Sequence, residues 1–289
     1  MPDWIDRGAY PFESHWVRVG VGELHYIDEG EGRPLVMVHG NPTWSFLYRH
    51  LVRDLAPRFR CVAPDHIGFG LSDKPAGWSY RPSEHARNLA ALIDRLGLED
   101  ITLVVQDWGG PIGLSYALDH PDNVAGVVVL NTWMWPVDDD WYYRAFSGLV
   151  GGPVGRFLIR RFNFFARCVM KQTYGDKGRL TREIHEHYLR PLATPDERTA
   201  CAVLPGEILG ATEWLADLWS KRASLREKAA LIVWGMKDIA FREKELIRWT
   251  EALPQARVIR LPDAGHFIQE EAPERLGEAV GSFLEEVCA

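Results

Sequence analysis

The stretch Ile101-Thr-Leu-Val-Val-Gln-Asp-Trp-Gly-Gly110 decides the fold that this sequence predicts. Its apolar, β-branched run ends at Asp107, two glycines follow Trp108, and a helix-like stretch begins near Ile112. Glycines relieve crowding where a strand turns sharply into a helix around one exposed side chain. The pattern therefore predicts a strand–turn–helix unit with Asp107 at its apex.

The carboxylate at this apex indicates a particular chemistry. Turns of this shape usually carry serine, whose hydroxyl needs a base before it attacks, whereas a carboxylate is already charged at pH 7. A carboxylate can displace a leaving group from a saturated carbon, and water can then cleave the resulting ester. Asp107 therefore predicts two-step hydrolysis of an alkyl halide or an epoxide. The alternative is that Asp107 only caps the helix that follows it.

The composition is that of an ordinary globular protein. The 289 residues are 46% hydrophobic and 25% charged, and the net charge of −7 comes from scattered acidic residues. No basic patch with interleaved aromatic residues indicates nucleic acid, and no apolar run is long enough to cross a membrane. The first six residues lack the apolar stretch of a secretory signal, and the cysteines form no Cys-x-x-Cys pair. We therefore expect a cytoplasmic protein whose partners are neither nucleic acid nor membrane.

Short apolar runs alternate with helical periodicity along most of the chain. After an opening hairpin at 16–28, strands are predicted at 34–38, 58–64, 101–107, 124–130, 229–234 and 257–261. Buried strands separated by helices favour an α/β fold with a mostly parallel sheet covered on both faces. Residues 133–209 break the alternation, because they are helical and aromatic without a convincing strand. We predict a core domain of residues 1–132 and 210–289, with a helical cap of residues 133–209 over the strand ends.

Two further polar residues follow the last predicted strands. His266 ends the run Leu261-Pro-Asp-Ala-Gly-His266, and Asp238 ends Trp234-Gly-Met-Lys-Asp238 one strand earlier. A histidine in this place could act as a base, and Asp238 could hold its imidazole in one tautomer. The chain order of nucleophile, acid and histidine is the one expected on such a sheet. Asp238 could instead cap the helix that begins near Arg242.

Two motifs are the most specific parts of the chain, namely His39-Gly-Asn-Pro-Thr-Trp44 and Gln106-Asp-Trp-Gly-Gly110. With them, nearly the whole chain resembles the haloalkane dehalogenase family of the α/β-hydrolase superfamily. The resemblance implies that the backbone amides of Asn41 and Trp108 form an oxyanion hole. It also implies that the Asn41 side chain and the Trp108 indole bind the departing halide ion. The implied substrate is a small halogenated hydrocarbon, and neither a metal nor an organic cofactor is required.

Some roles have alternatives within the family. Members that carry a glutamate acid after the sixth strand have it where this chain has Asn131, and an amide cannot be the acid, which leaves Asp238. Members that bind halide through two tryptophans would need a second one in place of Asn41, for which the available residues are Trp133, Trp135 and Trp141. His185-Glu-His187 could suggest a metal site, but side chains two residues apart on a helix diverge, so we predict a solvated cap face there.

Other functions are compatible with the same nucleophile. An epoxide hydrolase would protonate the ring oxygen through cap tyrosines, and the candidates are Tyr142, Tyr143, Tyr174 and Tyr188. Asn41 argues against it, because epoxide hydrolases usually have an aromatic residue there. A fluoroacetate-type dehalogenase would need arginines close after the nucleophile, and residues 108–110 provide none. A non-catalytic ligand receptor on the same fold would be expected to lack part of the catalytic triad. In this chain Asp107, Asp238 and His266 are all present. No pattern in the sequence predicts the oligomeric state.

Overall fold

Eight strands form one central sheet in the part of the protein that its computed structural model describes, residues 2–288. They are β1 (His15–Val19), β2 (Gly22–Glu29), β3 (Pro34–Val38), β4 (Arg60–Pro64), β5 (Ile101–Asp107), β6 (Val124–Thr132), β7 (Ala229–Gly235) and β8 (Arg257–Leu261). Their order is β1-β2-β4-β3-β5-β6-β7-β8. Only β2 pairs antiparallel with its neighbours β1 and β4, and the other described pairings are parallel. The predicted α/β fold is confirmed.

The helices are α1 (Arg49–Leu55), α2 (Pro82–Arg95), α3 (Gly109–Asp119), α4 (Trp141–Val150), α5 (Pro153–Phe162), α6 (Met170–Thr173), α7 (Arg182–Leu189), α8 (Thr199–Gly210), α9 (Thr212–Lys221), α10 (Glu243–Ala252), α11 (Ile268–Glu271) and α12 (Pro273–Cys288). Helices cover both faces of the sheet. Along β3, Val36 and Val38 belong to the hydrophobic cluster that includes α2 and α3, whereas Leu35 and Met37 belong to the cluster of α1 and α12. Successive strand residues point to opposite faces, so an uninterrupted apolar strand fits between two helical layers.

Helices α4 to α8 follow β6 and lie before β7, in the segment for which we predict the cap. Helix α8 packs against α4 and α5, whereas α9 packs against α3 of the core. The limits 133–209 stay a prediction of where the cap begins and ends. None of the helices within residues 2–288 combines the length and apolar character that crossing a bilayer requires.

The aromatic residues of the cap lie in different environments. Trp141, Phe157 and Phe162 are 75%, 60% and 54% exposed. Phe146 and Phe165 line an internal cavity instead. A cap has one face against solvent and one against the core, and helical periodicity alone does not say which of the two an apolar stripe meets.

The prediction of a solvated face at His185 and His187 is wrong. Both side chains are buried, and each is held by hydrogen bonds. The Nε2 atom of His185 lies 2.8 Å from the carbonyl oxygen of Ala166, while Nε2 of His187 accepts from the backbone N–H of Asp6 at 3.1 Å. The His187 ring also stacks on Phe46, with centroids 4.3 Å apart. His187 therefore links the cap to the core, whereas the bond of His185 lies within the cap.

Candidate active site

The turn after β5 is as tight as its glycines predict. Asp107 has φ of +51°, in the left-handed region that residues with a Cβ rarely occupy. A Cβ on Gly109 would lie 2.0 Å from the carbonyl oxygen of Val38, and one on Gly110 would lie 1.9 Å from Oγ1 of Thr132. Only glycine fits between β3 and β6 at these positions. The Thr132 hydroxyl donates to the Asp107 carbonyl at 2.5 Å, which holds the strained peptide.

The Asp107 carboxylate receives two backbone donors. The N–H of Asn41 donates to Oδ1 at 2.7 Å, and the N–H of Trp108 also reaches the carboxylate. Burial raises the pKa of Asp107, while His266 and the two amides act against that rise. The structure thus brings together the two amides that the resemblance implies for an oxyanion hole. Two N–H groups that converge on one carboxylate can stabilise negative charge on its oxygen.

His266 lies beside Asp107, with its Nε2 atom 3.7 Å from Oδ2 of the carboxylate. Its Nδ1 atom lies 2.8 Å from Oδ2 of Asp238. Burial lowers the pKa of His266, but the carboxylates of Asp238, Asp107 and Glu271 together raise it by more. The pKa of His266 therefore lies above the usual value for imidazole. The carboxylate of Asp238 can only accept, so the proton of the neutral ring is on Nδ1 and the lone pair is on Nε2.

Asp238 is itself held by a residue that the sequence argument set aside. The side-chain amide of Asn131 donates to Oδ2 of Asp238 at 2.9 Å, and its Oδ1 accepts from the backbone N–H of Gly235 at 2.8 Å. The other carboxylate oxygen of Asp238 accepts from the N–H of Ala240 at 2.7 Å. Asn131 therefore orients the acid although it cannot replace it. The helix α10 begins beyond Asp238, with Arg242 at its N-cap.

Gln106 is a second residue of the site that the sequence did not predict. Its Nε2 atom lies 2.8 Å from Nε2 of His266 and 3.3 Å from the carbonyl oxygen of the same histidine. The alternation of a strand places Gln106 and Asp107 on opposite sides of β5. The positive φ of Asp107 and the irregular register between Gln106 and Asp107 break this alternation, so both side chains reach one imidazole, and no sequence signal indicates that.

The loop that carries His266 is bonded to the cap. The N–H of His266 donates to the carbonyl oxygen of Thr173 at 2.9 Å. Glu271 accepts from the N–H groups of Gly265 and Asp176, at 2.9 and 2.8 Å. Deeper in the interface, the Tyr188 hydroxyl donates to Glu270, whose carboxylate forms a buried two-bond ion pair with Arg49. Cap and core therefore position the histidine together.

A cavity of about 280 Å³ opens beside the Asp107 carboxylate. Most of its wall is apolar, and its lining residues include Asn41, Asp107, Trp108 and His266 as well as Gln172 and Thr173. Trp133 also lines it, packed edge-to-face on Trp108 with centroids 4.6 Å apart. Oδ1 of Asn41 and Nε1 of Trp133 are buried without a hydrogen-bond partner within residues 2–288. The Trp133 N–H is thus a donor at the cavity wall without a partner among the described residues, which fits a site that receives a small anion, whereas the Asn41 oxygen can only accept.

Of the three tryptophans considered as second halide ligands, Trp133 alone belongs to the cavity wall described within residues 2–288. Trp135 packs against Trp219 and Trp249, and Trp141 is exposed. The Asn41 side chain forms one long hydrogen bond of 3.4 Å, from Nδ2 to the carbonyl oxygen of Cys201. Its amide therefore remains weakly engaged.

The cap tyrosines have other partners. Tyr142 and Tyr143 line the cavity with their rings, but their hydroxyls donate to the carbonyl oxygens of Ile239 and Ala240, at 2.8 and 2.9 Å. Tyr188 donates to Glu270. The hydroxyl of Tyr174 is the exception, because it is buried without a hydrogen-bond partner within residues 2–288, and burial followed by the charges of Glu270 and Glu271 raises its pKa.

A strained carboxylate, two amide donors and an Asp–His pair at the strand ends define a hydrolase of the α/β-hydrolase fold, and the family model of that fold matches residues 33–273. The chain belongs to this superfamily. Haloalkane dehalogenase 2 of Mycobacterium tuberculosis is 43% identical over 277 residues, 95% of this chain and 96% of the relative. The chain is thus an enzyme of the haloalkane dehalogenase family, which confirms the resemblance found in its motifs.

Two other relatives add detail. A crystal structure of a loop variant of the haloalkane dehalogenase from Bradyrhizobium elkanii superposes with a TM-score of 0.86 at 28% identity, covering 96% of this chain and 97% of that one. A protein of Shewanella oneidensis named cis-3-alkyl-4-alkyloxetan-2-one decarboxylase is 34% identical over 293 residues, 96% of this chain and 89% of the relative. The chain is therefore also similar in sequence to a protein that is named for a different reaction.

Proposed function

We propose that this enzyme converts haloalkanes to an alcohol, a halide ion and a proton through an ester on Asp107. In the first step, a carboxylate oxygen of Asp107 attacks the carbon that bears the halogen, and the carbon–halogen bond breaks. The Trp108 indole N–H and the Asn41 side-chain amide stabilise the departing halide. Both groups are neutral donors, so they add no negative charge that would compete with the ion.

In the second step, His266 takes a proton from water at Nε2, and the water oxygen attacks the carbonyl carbon of the Asp107 ester. The N–H groups of Asn41 and Trp108 bind the oxyanion that forms. Asp238 stabilises the imidazolium, and the collapse of the intermediate releases the alcohol and restores the carboxylate. The histidine is therefore required after the halide has left.

The observation that carries this proposal is the placement of an ionisable carboxylate at the base of an apolar cavity beside an indole and an amide. Developing negative charge on a leaving halide gains most from fixed donors where water is excluded. The substrate is therefore a small halogenated hydrocarbon that fits about 280 Å³. We place the enzyme in the cytoplasm, where its free Cys61 and Cys201 thiols stay reduced.

The same geometry gives less support to epoxide hydrolysis. Ring opening of an epoxide needs an acid that reaches the ring oxygen near Asp107. The hydroxyls of Tyr142 and Tyr143, the two tyrosines of the cavity wall, donate hydrogen bonds to backbone carbonyls. An epoxide hydrolase would have to break one of these bonds to protonate its substrate.

A second candidate is decarboxylation of an oxetan-2-one, which is favoured by the decarboxylase names of relatives at 34% identity. Asp107 would attack the saturated ring carbon bonded to the ring oxygen, which breaks that C–O bond and leaves a carboxylate on the neighbouring carbon. Loss of CO₂ then supplies the electron pair of a new C=C bond and expels Asp107. This route consumes no water, and therefore it does not need His266 as a base.

The deciding experiment measures three products in parallel, with Asp107→Ala as the blank. Halide from 1,2-dibromoethane and 1-bromobutane supports the proposal. Diol from styrene oxide without halide would transfer the assignment to epoxide hydrolase. Alkene and CO₂ from a cis-3,4-dialkyloxetan-2-one, retained in His266→Ala, would favour the decarboxylase. Tight binding of these compounds without any product would leave a ligand receptor as the function.

A further inference from the structure

We propose that Gln106 is a positioning residue for His266, whose side-chain amide holds the imidazole neutral, with its lone pair on Nε2, until the ester on Asp107 has formed. The inference rests on the proposed function, in which His266 acts only in the second step. It adds a residue to the site that touches the base rather than the substrate.

The orientation of the Gln106 amide follows from the chemistry of its neighbours. One of the two terminal atoms of the amide, oxygen or nitrogen, lies 3.3 Å from the carbonyl oxygen of His266. That carbonyl oxygen can only accept a hydrogen bond. An amide oxygen at that place would meet another oxygen, so the atom is the nitrogen. The same nitrogen lies 2.8 Å from Nε2 of the ring, and its two hydrogens can serve both acceptors. The backbone carbonyl of His266 thus fixes the amide orientation in which the N–H group of Gln106 faces the imidazole.

The state of the imidazole follows from its second nitrogen. Nδ1 lies 2.8 Å from the Asp238 carboxylate and must carry a proton to bond with it. The neutral ring then has a lone pair on Nε2, and the Gln106 N–H points at that lone pair. Imidazolium would carry a hydrogen on Nε2 and would place it against the amide hydrogen. Gln106 therefore stabilises the neutral ring and disfavours the charged one.

This donor opposes every charged group that faces the ring. Asp107 at the end of β5, Asp238 after β7 and Glu271 of α11 are all carboxylates, and each favours imidazolium. Phe241 and Phe267 flank the ring with apolar surface, at centroid distances of 5.6 and 4.6 Å. Burial and the Gln106 amide are what resist protonation. A protonated His266 would have no lone pair with which to take a proton from water.

Ester formation changes this balance. Once Asp107 is alkylated, it no longer carries the negative charge that faces Nε2. The attacking water can then replace the amide at Nε2, while the bond to the His266 carbonyl keeps Gln106 in place. Oε1 of Gln106 is buried without a partner within residues 2–288, so little besides these two bonds fixes the amide.

The test is a titration of His266 by NMR in protein labelled with ¹⁵N-histidine, with His266→Ala identifying the signal. We compare the wild type with Gln106→Met, which keeps the length of the side chain and removes the donor, and with Gln106→Glu, which replaces the donor by an acceptor. The loss of one hydrogen bond to the neutral ring should raise the pKa of His266 by about one unit in Gln106→Met, and by more in Gln106→Glu.

A kinetic measurement accompanies the titration. In single turnovers, the acid limb of ester hydrolysis should move to higher pH in each variant by the amount that the pKa of His266 rises in that variant. An unchanged pKa in both variants, with well-dispersed spectra, would overturn the inference. The NMR readout needs no turnover, so it decides the role of Gln106 even if the wild type releases no halide and the proposed function fails.

Discussion

Asp107 and His266 face each other across 3.7 Å, yet the protein supports them in different ways. The nucleophile is held mainly by backbone groups, namely the amides of Asn41 and Trp108 and the strained turn itself. The base is held by side chains from separate strands, above all Asp238 and its own partner Asn131. Backbone donors survive most substitutions, whereas each side-chain support can be removed singly. The two reaction steps should therefore differ in their sensitivity to mutation.

Removal of the base should have the largest effect on turnover. We expect His266→Ala to lose about 10⁴-fold or more in steady-state turnover, as in other relays that lose their base. It should still release one equivalent of halide, because alkylation does not need the base. Intact-mass spectrometry should show the alkyl group on Asp107. A variant that releases no first equivalent would show that the two halves of the site are not separable.

Loss of a halide donor should affect the first step alone. We expect Trp108→Phe, which removes the indole N–H and keeps the backbone amide, to slow alkylation by about 10²-fold. Trp133→Phe is the matched control within the same aromatic pair. Rapid-quench measurement of halide release separates the two, and hydrolysis of the ester should proceed normally in both. A larger loss from Trp133→Phe would make Trp133 the principal halide ligand.

Asn131 offers a smaller perturbation of the base half. Asn131→Leu removes one hydrogen bond to a carboxylate, which is worth about 1.5–3 kcal/mol, so ester hydrolysis should slow by about 10- to 100-fold. Alkylation should stay unchanged, because Asp107 has its own donors. Accumulation of the alkyl-enzyme at steady state is the measurement. If alkylation slowed equally, Asn131 would be supporting the sheet rather than the acid.

The pH dependence separates the halves without mutation. His266 must be neutral, and its pKa lies above the ordinary imidazole value, so hydrolysis should fall first as the pH is lowered. Asp107 must be ionised, and its pKa is raised from the much lower value of a carboxyl group, so alkylation should fall at a lower pH. Between the two limbs the alkyl-enzyme should accumulate. Stopped-flow rates for both steps across this range check the order, and coincident limbs would contradict it.

The difference between the halves also explains what the sequence could predict. Asn41, Asp107 and Trp108 lie in short motifs, because backbone donors and a tight turn depend on local residues. His266 and Asp238 were placed by their order after successive strands. Gln106 and Asn131 were not assigned a role, since their partners come from β7 and the loop after β8 and are chosen by the packing of the sheet.

The cap was the least predictable region for a related reason. Tyr142 and Tyr143 line the cavity, while the adjacent Trp141 is exposed. All three have the same apolar character in the sequence. The polar run around His185 and His187 suggests a face in contact with solvent. Both side chains are nevertheless buried, because other parts of the fold pack against them. In such a segment the face that each helix buries depends on the core surface beneath it.

The hydrogen bond from the His266 N–H to the Thr173 carbonyl has a consequence for how this protein can evolve. An insertion over an active site is commonly a place where substrate range diversifies by exchange of whole segments. Here an exchanged segment would also replace an anchor of the general base. Recombinants that exchange residues 173–188 should therefore lose hydrolysis of the Asp107 ester before their substrate range changes. Inherited variation is better tolerated in α4 and α8, which line the cavity without holding the histidine.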